Sequence, residues 1–346
     1  MYLLKGDNMF CLGIESTAHT FSCSIVNEEG ILSDVRSIYK PEEGKGIHPR
    51  EAAKHHADNS KDVLMQALKE AGINIKDVGA IAYSKGPGLG PCLRVGAVIA
   101  RAIAAYYNKP LVPVNHAIGH LELGMLLTNS KDPLALLISG GHCMILAMNN
   151  KRWRVFGETL DITLGQLLDQ FGRAAGFASP CGAIIEQLAK QSNNYIRLPY
   201  IVKGNDVSYS GLLTAAKKLL NKHKLEDICY SLQETAFAML AETAERALAF
   251  SEKKELLVVG GVAANQRLAS ILEDVCKLHD AKLFIVPPRF AGDCGAQIAW
   301  TGLLEYYAGI TVKPEEASIR QSWRLDTVDI TWNNQQLLPS HHSSIL

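Results

Sequence analysis

Neither sign of charge is in excess in this 346-residue sequence, where 35 Lys and Arg balance 35 Asp and Glu. No overall positive field exists to hold a polyanion, so an RNA ligand would need a local patch or a partner to supply it. Cysteine pairs are missing too. The eight cysteines (Cys11, Cys23, Cys92, Cys143, Cys181, Cys229, Cys276 and Cys294) form no C-x-x-C pair and follow no secretory leader, which makes a reducing, cytoplasmic location the expectation. No apolar run approaches the length that spans a bilayer, the longest being broken by Gly, Pro or charge, so no membrane role is expected. A Walker A lysine motif and a G-x-G-x-x-G fingerprint are both absent.

What is present is an ordinary globular composition, 47% hydrophobic and 20% charged, at a length that suggests two domains. Strands are expected at Phe10–Ile14, Thr20–Val26 and Ile31–Ile38, with a polar turn at Glu15–His19. The same grammar returns at Leu134–Ile138, the turn Ser139-Gly140-Gly141-His142, Cys143–Met148 and Trp153–Gly157. Strand, small-residue turn, hairpin and then helices, occurring twice, predict duplicated α/β domains with a ligand in their mutual cleft. Helices are expected at Pro49–Ala71, with a stripe of Ala53, Ala57, Ser60, Leu64, Ala67 and Ala71, and at Leu93–Tyr107, lined by Gly96, Ala97, Ala100 and Ala104. Further helices are expected at Ile162–Gly176, Gly182–Lys190, Ser210–Leu220, Leu225–Ser251, Asn265–His279 and Gly295–Tyr307, and strands at Leu111–Val114, Leu256–Val259 and Leu283–Val286. The expected domains are 10–132 with 296–333, and 133–295, flanked by a leader, 1–9, and a polar tail, 334–346.

The sharpest local signal is Asn115-His116-Ala117-Ile118-Gly119-His120, after a short strand. Asn115 can cap the next helix, which sets His116 and His120 at i and i+4 on one face, a spacing able to share a divalent ion. A zinc peptidase would need Glu beside the first His as general base, and Ala117 stands there. Paired histidines also occur merely packed or solvated, so a third ligand decides. The best carboxylate is Asp293, between the last strand and the last helix, where open α/β sheets bind ligands; it could equally be that helix's N-cap. The Ser139-Gly140-Gly141 turn and Gly260-Gly261, which leads into Asn265, resemble phosphate cradles, and with Glu15-Ser16-Thr17 they outline a nucleotide cleft. Gly86 to Pro91 is nearly free of side chains and reads as a structural turn or an acceptor wall. Asp169 and Glu186 are solvated acids or ribose and amine ligands.

Together these residues resemble the universal tRNA threonylcarbamoyladenosine transferases, in the archaeal and eukaryotic branch that works within the KEOPS complex. The resemblance spans Phe10 to about Trp332 and rests on Gly13 to Thr17, Gly46 to Glu51, Gly86 to Gly96, Asn115 to His120, Ser139 to Gly141, Gly157 to Asp161, Gly260 to Asn265, and Asp293 with Gly295. It implies the duplicated actin-like ATPase (ribonuclease H-like) fold with an interdomain nucleotide cleft. It implies His116, His120 and Asp293 as ligands of one iron or zinc ion. It also implies an adenine nucleotide (threonylcarbamoyl-AMP, or ATP, ADP or AMP) at Leu137, Ile138, Ser139, Gly140 and Gly141, Gly260 and Gly261, with Asp169, Gly182, Glu186 and Asn265 around the adenosine. Archaeal relatives have a metal-binding Tyr where this chain has Leu137, so the ion here is held more weakly or gains a water; His142 is a second departure, Asn in many of them.

The implied reaction is attack of adenosine-37 N6, in tRNAs reading codons that begin with A, on threonylcarbamoyl-AMP, with no catalytic residue assigned beyond the metal site. The implied partners are tRNA, the KEOPS subunits (a small atypical protein kinase, a dimerising subunit and a kinase-binding subunit) and the synthetase that supplies the adenylate. Rival readings are a glycoprotein metallopeptidase, weakened by Ala117, and a nucleotide-regulated scaffold ATPase, which has no need of paired histidines.

Overall fold

A computed structural model describes residues 9–42 and 45–332; the tail and all of the leader but Met9 lie outside them. In chain order the elements are β1 (Phe10–Glu15), β2 (Thr20–Asn27), β3 (Gly30–Ile38), α1 (Pro49–Ala71), β4 (Val78–Gly86), α2 (Gly90–Tyr107), β5 (Leu111–Asn115) and α3 (His116–Thr128). There follow β6 (Leu134–Ile138), β7 (Cys143–Asn149), β8 (Arg152–Glu158), α4 (Leu164–Ala174), α5 (Gly182–Ala189), β9 (Val202–Lys203), β10 (Asp206–Val207), α6 (Ser210–Leu219) and α7 (Leu225–Ser251). The chain closes with β11 (Glu255–Val259), α8 (Gln266–Leu278), β12 (Lys282–Ile285), α9 (Pro288–Ala291) and α10 (Gly295–Tyr307). No helix among the described residues is long and apolar enough to cross a membrane.

The two main sheets have the same plan. One is ordered β3-β2-β1-β4-β5 and the other β8-β7-β6-β11-β12. In each, the first three strands form an antiparallel meander and the last two join parallel to the first. Contacts divide the chain into two compact units, one of Met1–Tyr39, Ile47–Leu123 and Asp293–Leu346, the other of Lys40–Gly46 and Gly124–Gly292. The division of these units falls within α3 and just ahead of Asp293. Strand β4 escapes sequence reading altogether. Its run Val-Gly-Ala-Ile-Ala-Tyr-Ser carries small residues rather than a clear period, yet it lies beside β1 in the middle of the first sheet.

In the first unit β1 and β2 are buried on both faces. Leu12 and Ile14 of β1, and Phe21, Cys23 and Ile25 of β2, join Val63, Ala67 and Leu68 of α1 and Ala97, Ala100 and Ala104 of α2 in one apolar cluster. By the period-two alternation of a strand, Gly13 and Glu15 point to the opposite face. There α10 lies so close that a Cβ on Gly13 would stand 2.2 Å from Ala299 N and 2.4 Å from Gly295 O. Helix α2 starts at Gly90, earlier than the expected Leu93, and a Cβ on its Gly96 would stand 2.1 Å from Ser16 Oγ. The Gly86–Gly90 stretch is a packing device: a Cβ on Gly86 would meet Arg320 O at 1.9 Å and one on Gly88 would meet Thr17 O at 2.7 Å. All eight cysteines are buried free thiols, and burial pushes each of their pKa values up.

Helix α1 begins on Pro49 and ends at Gly72 in the left-handed region, as its sequence signals require. Its buried side is Ala52, His56, Val63, Ala67 and Leu68, one residue round from the expected stripe, because a histidine does not register as apolar. His56 Nε2 donates to Ala18 O at 3.0 Å, tying α1 to the turn between β1 and β2. Burial lowers the His56 pKa to about 4, against 6.5 for an ordinary His. Between those values the unfolded chain takes up a proton that the folded chain refuses. The stabilisation is therefore complete above pH 6.5 and is lost as pH falls toward 4. Urea unfolding from pH 4 to 7 should show the stability slope of His56→Gln flattened by up to one proton, about 1.4 kcal/mol per pH unit; an unaltered slope would refute this origin.

Candidate functional site

Helix α3 starts where the sequence says, because Asn115 Oδ1 accepts from Ala117 N at 3.0 Å and Ile118 N at 3.2 Å. The four-residue spacing then brings the His116 and His120 rings edge to face, with centroids 4.8 Å apart. Asp293 completes the group. Its Oδ1 lies 3.5 Å from His116 Nε2 and 3.3 Å from His120 Nε2, and one ligand atom from each of the three residues falls within 4.8 Å of the others. Asp293 is not the cap of α10, since Cys294 holds that position; the carboxylate faces the imidazoles instead. All three residues belong to the first unit.

Glu15 extends the cluster inward. Wholly buried at the end of β1, it places Oε2 2.9 Å from His116 Nδ1, while its Oε1 accepts from Thr17 N at 2.6 Å. A carboxylate at Nδ1 holds a proton there and turns Nε2 toward Asp293 and His120, the orientation metal-binding histidines use. The buried amide of Gln297, from the first turn of α10, sits 3.0 Å from the same Nδ1. Sequence reading misses both roles. For Glu15 the missed signal was a carboxylate at a strand's carboxyl end, the same signal that identified Asp293.

The electrostatics follow from this crowding. Burial opposes charge on His116, but the Glu15 and Asp293 carboxylates outweigh it and raise its pKa to about 9. For His120 burial wins and the pKa falls. Burial works against ionised Asp293, yet the two imidazoles hold its carboxyl well below the usual range. Despite the 3.3 Å approach of Asp293, His120 Nε2 is buried and lacks hydrogen-bond geometry with any described partner. A buried ring nitrogen so placed, in a set of two imidazoles and one carboxylate, suits zinc or non-haem iron. The residues therefore fit an ion.

The Ser139 and Gly260 turns, with Asp169 and Glu186, belong to the second unit. Ser139 Oγ accepts from Gly141 N at 3.2 Å and His142 N at 3.0 Å, so the turn is closed on its own serine. A phosphate there would take over donors that the hydroxyl now holds. Register pairs Val259 with Leu137, which sets Gly260 beside Ile138: at φ 95°, a Cβ on Gly260 would meet Ile138 O at 2.3 Å. Leu137 and Ile138 themselves are wholly buried. Their side chains are packed inside the second unit, so only their backbone is in question as a ligand contact.

The remaining residues link through α5. Asp169 Oδ1 accepts from Cys181 N at 2.7 Å, just before Gly182 opens the helix. One turn on, Glu186 accepts from Gln266 N at 3.2 Å and pairs with Lys190 at 3.0 Å. Asn265 is the N-cap of α8, accepting from Arg267 N and Leu268 N, while its amide donates to the buried Gln233 at 3.0 Å. Gly261 opens the short 3₁₀ turn, Gly261–Ala264, that leads to it.

Solved proteins share this architecture. HypF from T. kodakarensis matches with a TM-score of 0.61 over 88% of this chain and 48% of its own, at 13% identity. The activator of 2-hydroxyisocaproyl-CoA dehydratase from Clostridium difficile, solved with bound ADPNP, gives 0.53 over 85% of this chain and 94% of its own, at 12% identity. Such identities speak for the fold alone, and they define an actin-like α/β protein with a duplicated five-stranded sheet. The sequence narrows the class. Residues 30–300 match the profile of tRNA N6-adenosine threonylcarbamoyltransferase. Proteins of that name from Caldivirga maquilingensis and Staphylothermus marinus are 49% and 51% identical, covering 94% and 93% of this chain and 98% and 99% of theirs. A Methanosarcina mazei protein named "Probable bifunctional tRNA threonylcarbamoyladenosine biosynthesis protein" is 50% identical over 94% of this chain but only 60% of its own length. This chain belongs to the tRNA N6-adenosine threonylcarbamoyltransferase family, transferases that modify tRNA.

The Gly260 backbone gives a direct check on the second unit. A side chain there meets both a left-handed φ and a carbonyl wall, so Gly260→Ala should lose about 2 kcal/mol or more in chemical denaturation. A loss below about 0.5 kcal/mol would contradict the described contact between the two turns.

Proposed function

We propose that the chain transfers the threonylcarbamoyl group of threonylcarbamoyl-AMP to N6 of adenosine 37 in tRNAs that read codons beginning with A, within a KEOPS-type assembly. The observation that carries the reading is the convergence of two buried histidines, His116 and His120, with the partly exposed Asp293 on one point backed by Glu15. In this reading those three residues hold one iron or zinc ion, which when bound supplies Lewis acidity to a carbonyl or phosphate oxygen. Glu15 keeps one His116 proton on Nδ1, and Nε2 gives up the other to offer its lone pair to the ion. The adenylate phosphate is read at Ser139–Gly141, where backbone N–H groups replace water around the anion. Asp169, Gly182, Glu186, Gly260, Gly261 and Asn265 frame the nucleoside. The acyl phosphate is already activated, so positioning suffices: Ser139 is no nucleophile, and no covalent enzyme intermediate forms.

Support comes from the family, from the nucleotide analogue bound to the dehydratase activator of like fold and from the donor set. A peptidase reading finds no base, since the residue after His116 is the buried Ala117. The partners in this reading are tRNA, a small atypical kinase, a dimerising subunit, a kinase-binding subunit and the adenylate-forming synthetase, in the cytoplasm. The test is reconstitution with those partners, threonine, bicarbonate, ATP and unmodified tRNA, followed by nucleoside analysis. Modified adenosine should form, and His116→Ala with His120→Ala should lower its rate by about 100-fold or more, beyond what losing a supporting residue costs. Full activity of the double variant would remove this mechanism.

A further inference from the structure

Helix α10 starts without a cap of its own. The Cys294 side chain makes no capping hydrogen bond, and the carboxylate before it, Asp293, is turned to the imidazoles. Orphan N–H groups at a buried helix start must find acceptors elsewhere. They find them in the β2–β3 hairpin. Gly295 N donates to Ser22 Oγ at 2.8 Å, and Ala296 N donates to Asp34 Oδ1 at 3.3 Å.

These acceptors are themselves fixed. Ser22 donates onward to Val35 O at 2.7 Å. Asp34 takes the Ser24 hydroxyl on Oδ1 at 2.5 Å and Arg36 on Oδ2, through Nε at 2.7 Å and a terminal nitrogen at 2.6 Å. Its side chain is 1% exposed. A buried carboxylate is costly unless paired and hydrogen-bonded, and this one has both kinds of partner and faces the positive end of a helix. In sequence, Thr-Phe-Ser-Cys-Ser-Ile alternates as if Ser22 and Ser24 met water. Both are wholly buried, facing the start of α10, where a Cβ on Gly295 would stand 2.6 Å from Ser24 Oγ.

We propose that Asp34, assisted by Ser22, is a positioning residue for the His116–His120–Asp293 centre: it caps α10 from a remote strand and so sets where the Asp293 carboxylate stands. This rests on the reading of that centre as a metal site. Neither residue touches the ion; each acts through the first turn of α10. Losses of such supporting contacts typically cost about 10- to 100-fold in metal affinity.

The experiment uses the full chain stripped of metal and titrated with Co(II), whose visible absorption reports both affinity and coordination geometry. Wild type should bind one Co(II) per chain. Asp34→Ala should bind it about 10- to 100-fold more weakly with altered band intensities, and Ser22→Ala should shift in the same direction. Asp34→Asn keeps an oxygen for Ala296 N and should recover part of the loss. Val63→Ala, in the apolar cluster under α1, controls for general destabilisation and should bind as wild type does. If Asp34→Ala does not fold, Ser22→Ala and Asp34→Asn carry the comparison. Wild-type affinity and spectrum in the folded Asp34 and Ser22 variants would overturn the proposal and leave the metal reading intact. Absence of Co(II) binding by wild type would overturn both.

Discussion

The backbone of α10 runs against β1 and β2 at a distance only glycine tolerates, and the geometry of the cluster depends on that contact. A Cβ on Gly13 would stand 2.2 Å from Ala299 N, and one on Gly295 would stand 2.7 Å from Ser24 N. Gly119, within the His116–His120 turn of α3, would bring a Cβ to 3.2 Å from Gln297 O. Each functional side chain sits within three residues of one of these glycines: Glu15 beyond Gly13, His116 and His120 around Gly119, Asp293 ahead of Gly295. Close packing leaves little freedom of register. Displacing α10 by one side-chain volume would carry Asp293 away from Glu15 and the histidines, so the constraint that packs the sheet also aligns the cluster.

The cluster is built from distant stretches of chain, with Glu15, the α3 histidines and Asp293 separated by roughly a hundred residues or more at each step. Local order cannot assemble it. Strand β1 must pair with β4, β4 with β5, and α10 must return across the sheet before the carboxylate meets the imidazoles. Contacts of such sequence separation form late and at high entropic cost. A properly formed His-His-Asp group therefore reports that the whole first unit has closed.

Much of this was legible in the residues. Duplication showed because strand, turn and hairpin recur with like punctuation, and the histidine spacing showed because a cap precedes it. What stayed hidden has physical reasons. Strand β4 is built of small residues whose role is to admit neighbours, so no hydrophobic period marks it. His56 and Ser22 are buried polar groups whose partners, Ala18 O and Gly295 N, lie far along the chain or on another element; local pattern assigns them to water. Asp293 stayed ambiguous between cap and ligand until three-dimensional contacts showed that the capping is done from β2 and β3. Leu137 and Ile138 were read through the motif they precede, and their burial in β6 was not visible in that motif.

The eight buried thiols have a consequence for ion selection. Zinc takes thiolate as well as imidazole, so a chain with this many cysteines could compete with its own intended centre. Here burial keeps every sulfur protonated and out of reach. An ion entering the folded molecule is thus denied a competing sulfur donor, and capture by thiols becomes a hazard confined to the unfolded or nascent chain.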